Sequence, residues 1–397
     1  MARKTFVLAL LVALAFAAAL FAGCAPAAPK APYDGVIKIG NVAPMTGDIP
    51  AVGEHGRYGV ELAMEEIGYE VKVGEHTYKI EILLEDNEAK AESSAAVGTK
   101  LIAEDEVLAI IGAYASKQAI PLGEVADREK TPTISPWSTN PRTTMDRPYV
   151  FRACFLDPFQ ATVGAKYVKE NWPEITKVAV LYDVASDYPK GLAEFFKSAW
   201  EDLHGEGSVV AFETFTTKDR DFSSQLTKIM ESGAELFYTP QYYDEVPLIV
   251  AQAKELGWDK PIFGSDSWAG GDLASLCGDD CVGHRFTTHY AMVGATGKTK
   301  AFIDAYRAKY GSEPSDVGAL AYDAAQMLIK AIENTGGLTG DLAEDRDNIK
   351  REMARIKDWP GTTGEMSFTP EGDPIKCAVV VEYNEDHLIE FVAWACP

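Results

Sequence analysis

The chain is poor in basic residues, with 37 Lys and Arg against 60 Asp and Glu and a formal net charge of −23. Removal of the N-terminal signal segment described below would also remove Arg3 and Lys4 and bring the net charge near −25. A surface of this sign repels nucleic acid and argues against phosphate binding as the main task. We therefore expect no nucleic-acid partner.

The common sequence signatures of enzymes are also missing. The chain has no G-x-S-x-G, no H-E-x-x-H and no P-loop, and no G-x-G-x-x-G follows the first predicted strand. Cys281, His284 and His289 lie close in sequence, but a strand over this segment would direct the two histidines to opposite faces. We therefore predict no enzyme, no cofactor and no metal site.

Long apolar runs are missing after the N-terminus, where a single run follows Arg3 and Lys4. A charged start, an apolar stretch and small residues before a cleavage point are typical of an export signal. The small residues before Cys24 resemble the bacterial lipobox, which implies a lipidated cysteine as the first mature residue. We predict a signal peptide over 1–23 and a lipidated tether over 24–33 that leaves the folded part in water beside the membrane. The alternative is an ordinary cleaved signal peptide with an incidental cysteine.

Few cysteines follow the predicted lipidation site, and an oxidising compartment would pair some of them. Cys277 and Cys281 could close a small loop. Cys377 and Cys396 flank a predicted C-terminal hairpin, which makes them a second candidate pair. Cys154 would then be the odd residue, although the sequence alone leaves the pairing open.

Strand-like and helix-like segments alternate along the chain. Residues 36–40 form a short apolar strand pattern, and residues 78–86 alternate apolar and polar side chains. Between them, Val60, Met64 and Ile67 share one helical face. The alternation restarts in the second half of the chain, which ends with two strong helices and a group of strands. This order predicts an α/β fold with parallel sheets covered on both faces, in two lobes.

The loops after the predicted strands are rich in hydroxyl groups and aromatic rings. In open α/β sheets, ligands bind outside the carboxyl ends of the strands, where these loops lie. Hydroxyl and backbone N–H groups can hold a carboxylate, whereas Asp266 can meet an ammonium group covered by Trp137 or Trp268. This combination predicts a cleft for a small organic molecule. The candidate residues are Tyr114, Ser116, Trp137, Ser138, Thr139, Tyr188, Tyr242, Tyr243, Asp266 and Trp268.

Four stretches carry a resemblance to a known family. They are "IKIGNVAPMTGDIPAVGEHGRYGVELAMEEI", "IIGAYASKQAIPLGEVADREKTPTISPWSTNP", "VAVLYDVASDYPKGL" and "IFGSD". In this order and with this spacing they resemble the leucine/isoleucine/valine-binding proteins of bacterial ABC importers, which have the type I periplasmic binding fold. The resemblance covers nearly all of the predicted mature chain.

The resemblance implies two Rossmann-like, doubly wound lobes joined by a three-strand hinge. The hinge would lie at crossings near Pro148–Cys154, Thr287–Tyr290 and Trp359–Gly364. The implied boundaries are 34–150 plus 288–361 for the first lobe and 151–287 plus 362–397 for the second.

The resemblance also implies a carboxylate site on the first lobe. Ser116 and Thr139, with the backbone around Trp137 and Ser138, match the segment that holds the ligand carboxylate in this family. Trp137 replaces a small residue, and Val52 stands where an aromatic residue often lines the pocket. A branched aliphatic ligand is therefore not implied by the resemblance alone.

On the second lobe, Tyr188 matches a tyrosine that closes over the ligand, and Asp266 matches the acid that receives the ligand ammonium group. Tyr242 or Tyr243 matches a cleft aromatic residue, with the register open by one position. Trp268 lies beyond Asp266 as a second candidate ring for the cleft wall.

These residues imply an exported solute-binding lipoprotein of an ABC importer. It would capture a small ligand, such as an amino acid of the branched-chain type or a related amide or aromatic compound, and deliver it to permease subunits. We expect a monomer in the periplasm or at the cell surface, held at the membrane only by its lipid anchor. Two alternatives remain: a ligand sensor of the same fold that feeds a signalling receptor, and an exported α/β enzyme.

Overall fold

The structure, a computed structural model, describes residues 33–271 and 273–396. The predicted signal peptide, Cys24 and the tether up to residue 32 lie outside the described residues. Gly35–Pro397 forms one compact unit. Among the described residues, no helix combines the length and the apolar character needed to cross a membrane.

Eleven α-helices, numbered in chain order, lie within the described residues. They are α1 (Pro50–Glu66), α2 (Ala91–Ala103), α3 (Ser116–Arg128), α4 (Asp157–Asn171), α5 (Asp187–His204), α6 (Ser223–Glu231), α7 (Val246–Glu255), α8 (Leu273–Cys277), α9 (Gly297–Tyr310), α10 (Asp316–Asn334) and α11 (Leu342–Met353).

The strands within the same residues are numbered in the same way. They are β1 (Gly35–Ala43), β2 (Glu70–Val73), β3 (His76–Asp86), β4 (Ala109–Gly112), β5 (Thr133–Ser135), β6 (Val150–Arg152), β7 (Val178–Asp183), β8 (Val209–Phe215), β9 (Leu236–Tyr238), β10 (Ile262–Gly264), β11 (Arg285–Thr288), β12 (Trp359–Gly361), β13 (Gly364–Phe368), β14 (Pro374–Ile375), β15 (Ala378–Tyr383) and β16 (Ile389–Ala395).

Six strands form the first sheet, in the order β2-β3-β1-β4-β5-β6. All pairs are parallel except the β2–β3 hairpin. Every residue of β4 is buried, as expected for a strand covered by helices on both faces. We call this sheet and its helices the first lobe.

Seven strands form the second sheet, in the order β16-β15-β11-β10-β9-β7-β8. The five strands β8, β7, β9, β10 and β11 pair with their neighbours in parallel. β15 and β16 extend the sheet beyond β11 with antiparallel pairs. We call this sheet and its helices the second lobe. The α/β fold with two sheet-containing lobes is confirmed.

The chain passes between the lobes three times: after β6, after β11, and between α11 and β15. Residues Phe151 and Arg152 remain in the first sheet as part of β6, so the first crossing begins slightly later than the predicted boundary at 150. β12, β13 and β14 form a small antiparallel sheet near the third crossing.

α10 is buried along most of its length and packs against α1. Glycine makes this close approach possible, because a Cβ on Gly59 would lie 2.1 Å from the backbone oxygen of Gly318. The side chain of Ser315 caps α10 by accepting a hydrogen bond from Gly318 N. This helix pair fixes the N-terminus of α10, and with it Asp316, beside the site described below.

α11 is a helix that the sequence analysis did not assign. Asp341 caps it by accepting hydrogen bonds from Ala343 N and Glu344 N, both at 3.0 Å. Few apolar residues point to a buried face in this polar segment, which explains why periodicity did not reveal it.

Candidate functional site

The first-lobe edge of the site is formed by the loops after two neighbouring parallel strands, β4 and β5. Both strands end at the same edge of the sheet, so Ser116 at the start of α3 meets the segment after β5. Ser116 Oγ accepts hydrogen bonds from Ser138 Oγ at 2.9 Å and from Asn140 N at 3.4 Å. Because Ser116 is the acceptor in both, its own O–H remains available to donate. The first N–H groups of α3 add donors at the same place.

Ser138 and Thr139 lie in the same buried segment. Ser138 Oγ lies 2.6 Å from Thr143 Oγ1 as well as contacting Ser116. Thr139 is fully buried, and within the described residues its hydroxyl has no hydrogen-bond partner of good geometry. A buried hydroxyl left unpaired costs about 1–3 kcal/mol, so a partner at this position would be stabilising.

Arg152 holds this segment in place, although sequence analysis gave it no role. Its side chain is fully buried and donates to Ser138 O at 2.6 Å and to Asn140 O at 3.0 Å. Its Nε also donates to Asp373 at 2.6 Å, which pairs the charge. Arg152 therefore supports the loop by contacts to backbone oxygen atoms. The strand pattern around Arg152 offered no signal for this role.

On the second lobe, Asp266 and Tyr188 form a hydrogen-bonded pair. The Tyr188 hydroxyl donates to Asp266 Oδ1 at 2.6 Å, and Gln160 Nε2 donates to the same oxygen at 2.7 Å. Asp266 begins a 3-10 turn after β10, and Tyr188 lies in the first turn of α5. Burial, with the nearby Asp266 carboxylate, raises the pKa of Tyr188 well above its ordinary value. Tyr188 therefore remains a neutral hydrogen-bond donor.

Three aromatic rings form a wall that spans both lobes. The ring centroid of Tyr242 lies 5.9 Å from that of Trp137 and 5.4 Å from that of Tyr188. Trp137 Nε1 donates to Asp316 Oδ2 at 3.2 Å. Gly270 of the second lobe permits this approach, because a Cβ there would lie 2.6 Å from two ring atoms of Trp137.

These groups line a narrow cavity between the lobes. Hydroxyl groups lie at its first-lobe side, a carboxylate at its second-lobe side, and rings between them. The lining residues are Ala115, Ser116, Trp137, Tyr188, Tyr242 and Asp266.

Five of the predicted ligand-binding residues therefore line one cavity. Ser138 adjoins it through its hydrogen bond to Ser116, and Thr139 is the next residue in the same segment. Trp268 is different: it is fully buried, its Nε1 donates to Thr239 O at 3.0 Å, and its ring packs 5.7 Å from that of Phe286. Trp268 thus belongs to the packing of the second lobe rather than to the cavity wall. Of the two tyrosines, Tyr242 lines the cavity, whereas the Tyr243 hydroxyl accepts a hydrogen bond from Ala51 N at 3.3 Å.

Further buried titratable groups lie beside Asp266, and the sequence gave no sign of them. His289 Nε2 lies 3.4 Å from Asp266 Oδ2, and burial lowers the pKa of His289 to about 4. Burial raises the pKa of Asp316 well above its ordinary value, and raises that of Asp157 to about 8. These residues come from the second crossing, α10 and α4, so only the folded chain brings them together.

Asp266, His289 and Asp316 offer three ligand atoms that lie within 4.8 Å of one another, so this group could hold a cation. It differs from the sequence cluster of Cys281, His284 and His289, because Cys281 is bonded to Cys277. The second disulfide joins Cys377 to Cys396, and Cys154 is free and buried.

A second cavity adjoins the first at Tyr242. Burial raises the pKa of Asp244 to about 6 and that of Glu245 to about 8. This outer cavity is acidic, and Lys117 is the single basic residue that lines it. Its acidic residues are Asp48, Asp183, Asp244 and Glu245.

The fold and the site together define a class: a two-lobed α/β binding protein that encloses a small molecule at the carboxyl ends of its strands. A family model for periplasmic binding proteins matches residues 36–387. The chain belongs to this family, which is one of solute-binding proteins and not of enzymes.

Individual relatives span nearly the whole chain. The leucine-, isoleucine-, valine-, threonine- and alanine-binding protein of Pseudomonas aeruginosa is 29% identical over 85% of this chain and 87% of its own. The leucine-binding protein LivK of Thermotoga maritima is 33% identical, with a TM-score of 0.83 over 91% of this chain and 99% of its own. LivJ of Streptococcus pneumoniae, solved with isoleucine, is 32% identical, with a TM-score of 0.79 over 90% of this chain and 99% of its own.

Proposed function

We propose that this protein is an exported solute-binding lipoprotein of an ABC importer. It captures a small amino acid, or a closely related compound, between its two lobes and delivers it to the permease subunits. Ser116, Thr139 and the backbone around Trp137 and Ser138 bind the anionic end of the ligand. Asp266 receives the cationic end.

The observation that carries this proposal is the cavity that both lobes build together. Ser116 and Trp137 come from the first lobe, and Tyr188, Tyr242 and Asp266 come from the second. A ligand that contacts both sides stabilises the closed arrangement in proportion to its differential affinity for that arrangement. Closure then gives the permease a surface that differs between loaded and empty protein.

The relatives support an amino acid as the ligand class. The Pseudomonas aeruginosa relative is named for five amino acids, and the LivJ structure contains isoleucine. The cavity of this chain has both features that an α-amino acid needs, namely hydroxyl donors and a carboxylate at opposite sides. Trp137 narrows it, which favours small ligands.

The test is a binding screen on the full chain in mild detergent, against amino acids, amides and small aromatic acids. A ligand that binds only the folded state raises the melting temperature by mass action. We expect at least one zwitterionic compound to do so, to saturate with one site per chain in calorimetry, and to be recovered unchanged. Chemical turnover of a candidate, or the absence of binding across the panel, would contradict the proposal.

Membrane attachment is proposed through Cys24 alone. Replacement of Cys24 by serine should move the protein from the membrane fraction to the soluble fraction and leave ligand binding intact, because the cavity lies in Gly35–Pro397. Retention of the variant in the membrane fraction would argue against the lipid anchor. Light scattering of the soluble variant should give the mass of a monomer.

A further inference from the structure

We infer that the cavity selects a small zwitterion whose ammonium group is fully N-alkylated, such as a betaine, in preference to a primary amino acid. This inference rests on the proposed function and specifies its ligand class. It starts from what surrounds the cationic end of the cavity: the rings of Trp137, Tyr188 and Tyr242, and the carboxylate of Asp266.

The first reason for this preference lies in the hydrogen bonds that Asp266 already accepts. Oδ1 already accepts from Tyr188 and from Gln160, at 2.6 and 2.7 Å, and Oδ2 lies 3.4 Å from His289 Nε2. A primary ammonium group brings three N–H donors, each of which needs an acceptor once it leaves water. The lone pairs of Oδ1 are already used, so Asp266 can accept from at most two of these three donors, both at Oδ2. An alkylated ammonium group has no N–H, so it requires negative potential but no acceptor.

The second reason is the set of aromatic rings that border the cavity. The ring of Tyr242 lies beside those of Trp137 and Tyr188, and all three rings border the cavity. Ring faces attract alkylated ammonium ions by about 2 kcal/mol or more when the ion is desolvated. Trp137 is held by its bond to Asp316, and Tyr188 by its bond to Asp266. Asp266, which supplies the negative potential, thus also positions one of the rings.

The third reason is the charge of the residues that line the two cavities. Among the described residues that line the two cavities, Lys117 is the one basic side chain, against Asp266, Asp48 and Asp183 and two further acids, Asp244 and Glu245, whose pKa values are raised. Such a cleft attracts cations and raises their rate of entry. Ser116 and the N-terminus of α3 then provide the donors for the carboxylate end.

The experiment compares two molecules of nearly the same shape that differ in charge. Glycine betaine carries a trimethylammonium group, and 3,3-dimethylbutanoate carries a neutral tert-butyl group in its place. Calorimetry on the full chain in detergent should show betaine binding about 30-fold more tightly. It is run at low millimolar ligand or below, because betaine at high concentration stabilises proteins by exclusion from their surface. Glycine and valine serve as primary-amine comparisons and should bind more weakly than betaine.

Two variants separate the ring effect from simple packing. Tyr242→Leu should lower the affinity for betaine about 5- to 10-fold more than the affinity for 3,3-dimethylbutanoate, because both ligands lose packing but only betaine loses the attraction of the ring for its charge. Tyr242→Phe, which keeps the ring, should restore the affinity for betaine. Melting curves of the empty variants check that both remain folded.

The outcomes are distinct. Tight binding of valine with no binding of betaine would overturn the inference and leave the proposed function standing. Equal affinity for betaine and 3,3-dimethylbutanoate would also overturn it, because charge would then play no part. If neither zwitterion binds and the wider panel also fails, both the inference and the proposed function are wrong.

Discussion

The two sides of the cavity are built in opposite ways. The first-lobe side presents neutral donors, namely Ser116 Oγ, the unpaired hydroxyl of Thr139 and the N-terminus of α3. The second-lobe side presents Asp266, with Tyr188 and Gln160 bonded to it and further acids close by. The contrast shows how a strongly acidic protein can still bind an anionic group. It does so with neutral dipoles on one side of the cavity.

The difference has an energetic consequence. Removal of one neutral donor removes one hydrogen bond to the ligand, which costs about 1 kcal/mol of binding free energy. Removal of a charge that pairs with a buried ligand charge costs more, because the ligand charge is then left without a partner. Variants on the second-lobe side should therefore weaken binding more than variants on the first-lobe side.

The largest effect is expected for Asp266→Asn. This change keeps the shape and removes the negative charge, so the affinity for a zwitterionic ligand should fall about 100-fold, as for loss of a hydrogen-bonded charge pair. Calorimetry with the ligand found in the screen measures the change. Asp279→Asn, at a side chain that is 95% exposed, is the matched control and should bind normally. An unchanged affinity in Asp266→Asn would show that Asp266 has only a structural role. The proposed energetic difference between the two sides would then be wrong.

The dependence of stability on pH gives the second test, because the second lobe contains Asp157 and Glu245, two carboxyl groups with raised pKa values. Asp157 has a pKa of about 8, above its ordinary 3.8, chiefly because it is buried. Its contribution to stability is therefore complete below pH 3.8 and is lost as the pH rises through 8. His289, with its pKa lowered from 6.5 to about 4, acts in the opposite direction between those two values. Above pH 6.5, the change of stability with pH therefore reflects the carboxyl groups and not His289.

We expect the free energy of unfolding to fall by about 1.5 kcal/mol per such carboxyl group between pH 6.5 and 8. Denaturant titrations of the empty protein measure it. Asp157→Asn should flatten the decline by about this amount, and Glu245, whose pKa is also raised to about 8, should account for a similar share. A stability that rises with pH over this range would show that these acids are ionised in the folded state.

The same contrast explains what the sequence could predict. The first-lobe side follows from strand order, because Ser116 and Thr139 each come just after a parallel strand and must reach the same edge of the sheet. The fold itself followed from the alternation of strands and helices. The second-lobe carboxylate was found through the segment after β10, which contains Asp266.

The rest of the site could not be predicted, because it depends on contacts between distant segments. Gln160, His289 and Asp316 lie far apart in sequence, and none of them belongs to a sequence motif that is typical of a binding site for a small organic molecule. The environment of Trp268 was left open for a related reason: its position after Asp266 does not reveal that its ring packs near Phe286 in the core. Side-chain direction in short turns is set by packing, which the sequence pattern does not encode.

The first-lobe side is tested by Thr139→Val, which removes the hydroxyl and keeps the shape. Because the hydroxyl of Thr139 is buried without a hydrogen-bond partner of good geometry in the described residues, the empty protein should be no less stable. Ligand affinity should fall about 5- to 10-fold, the value of one neutral hydrogen bond. Melting temperature and calorimetry measure the two effects. A loss of stability with unchanged affinity would mean that Thr139 only supports the loop.

The smallest effect is expected at the rim, where the two lobes meet in an exposed ion pair. Arg142 Nη1 lies 2.9 Å from Asp187 Oδ1, with side chains 58% and 40% exposed. Exposed pairs contribute little, so Arg142→Gln should change ligand affinity by less than about 5-fold, and 0.5 M salt should reduce even that difference. Asn140 Nδ2 also donates to Asp187 O at 3.0 Å, a neutral inter-lobe contact that the substitution leaves in place. An effect as large as that of Asp266→Asn would show that closure is governed by charge at the rim and not by the groups that line the cavity.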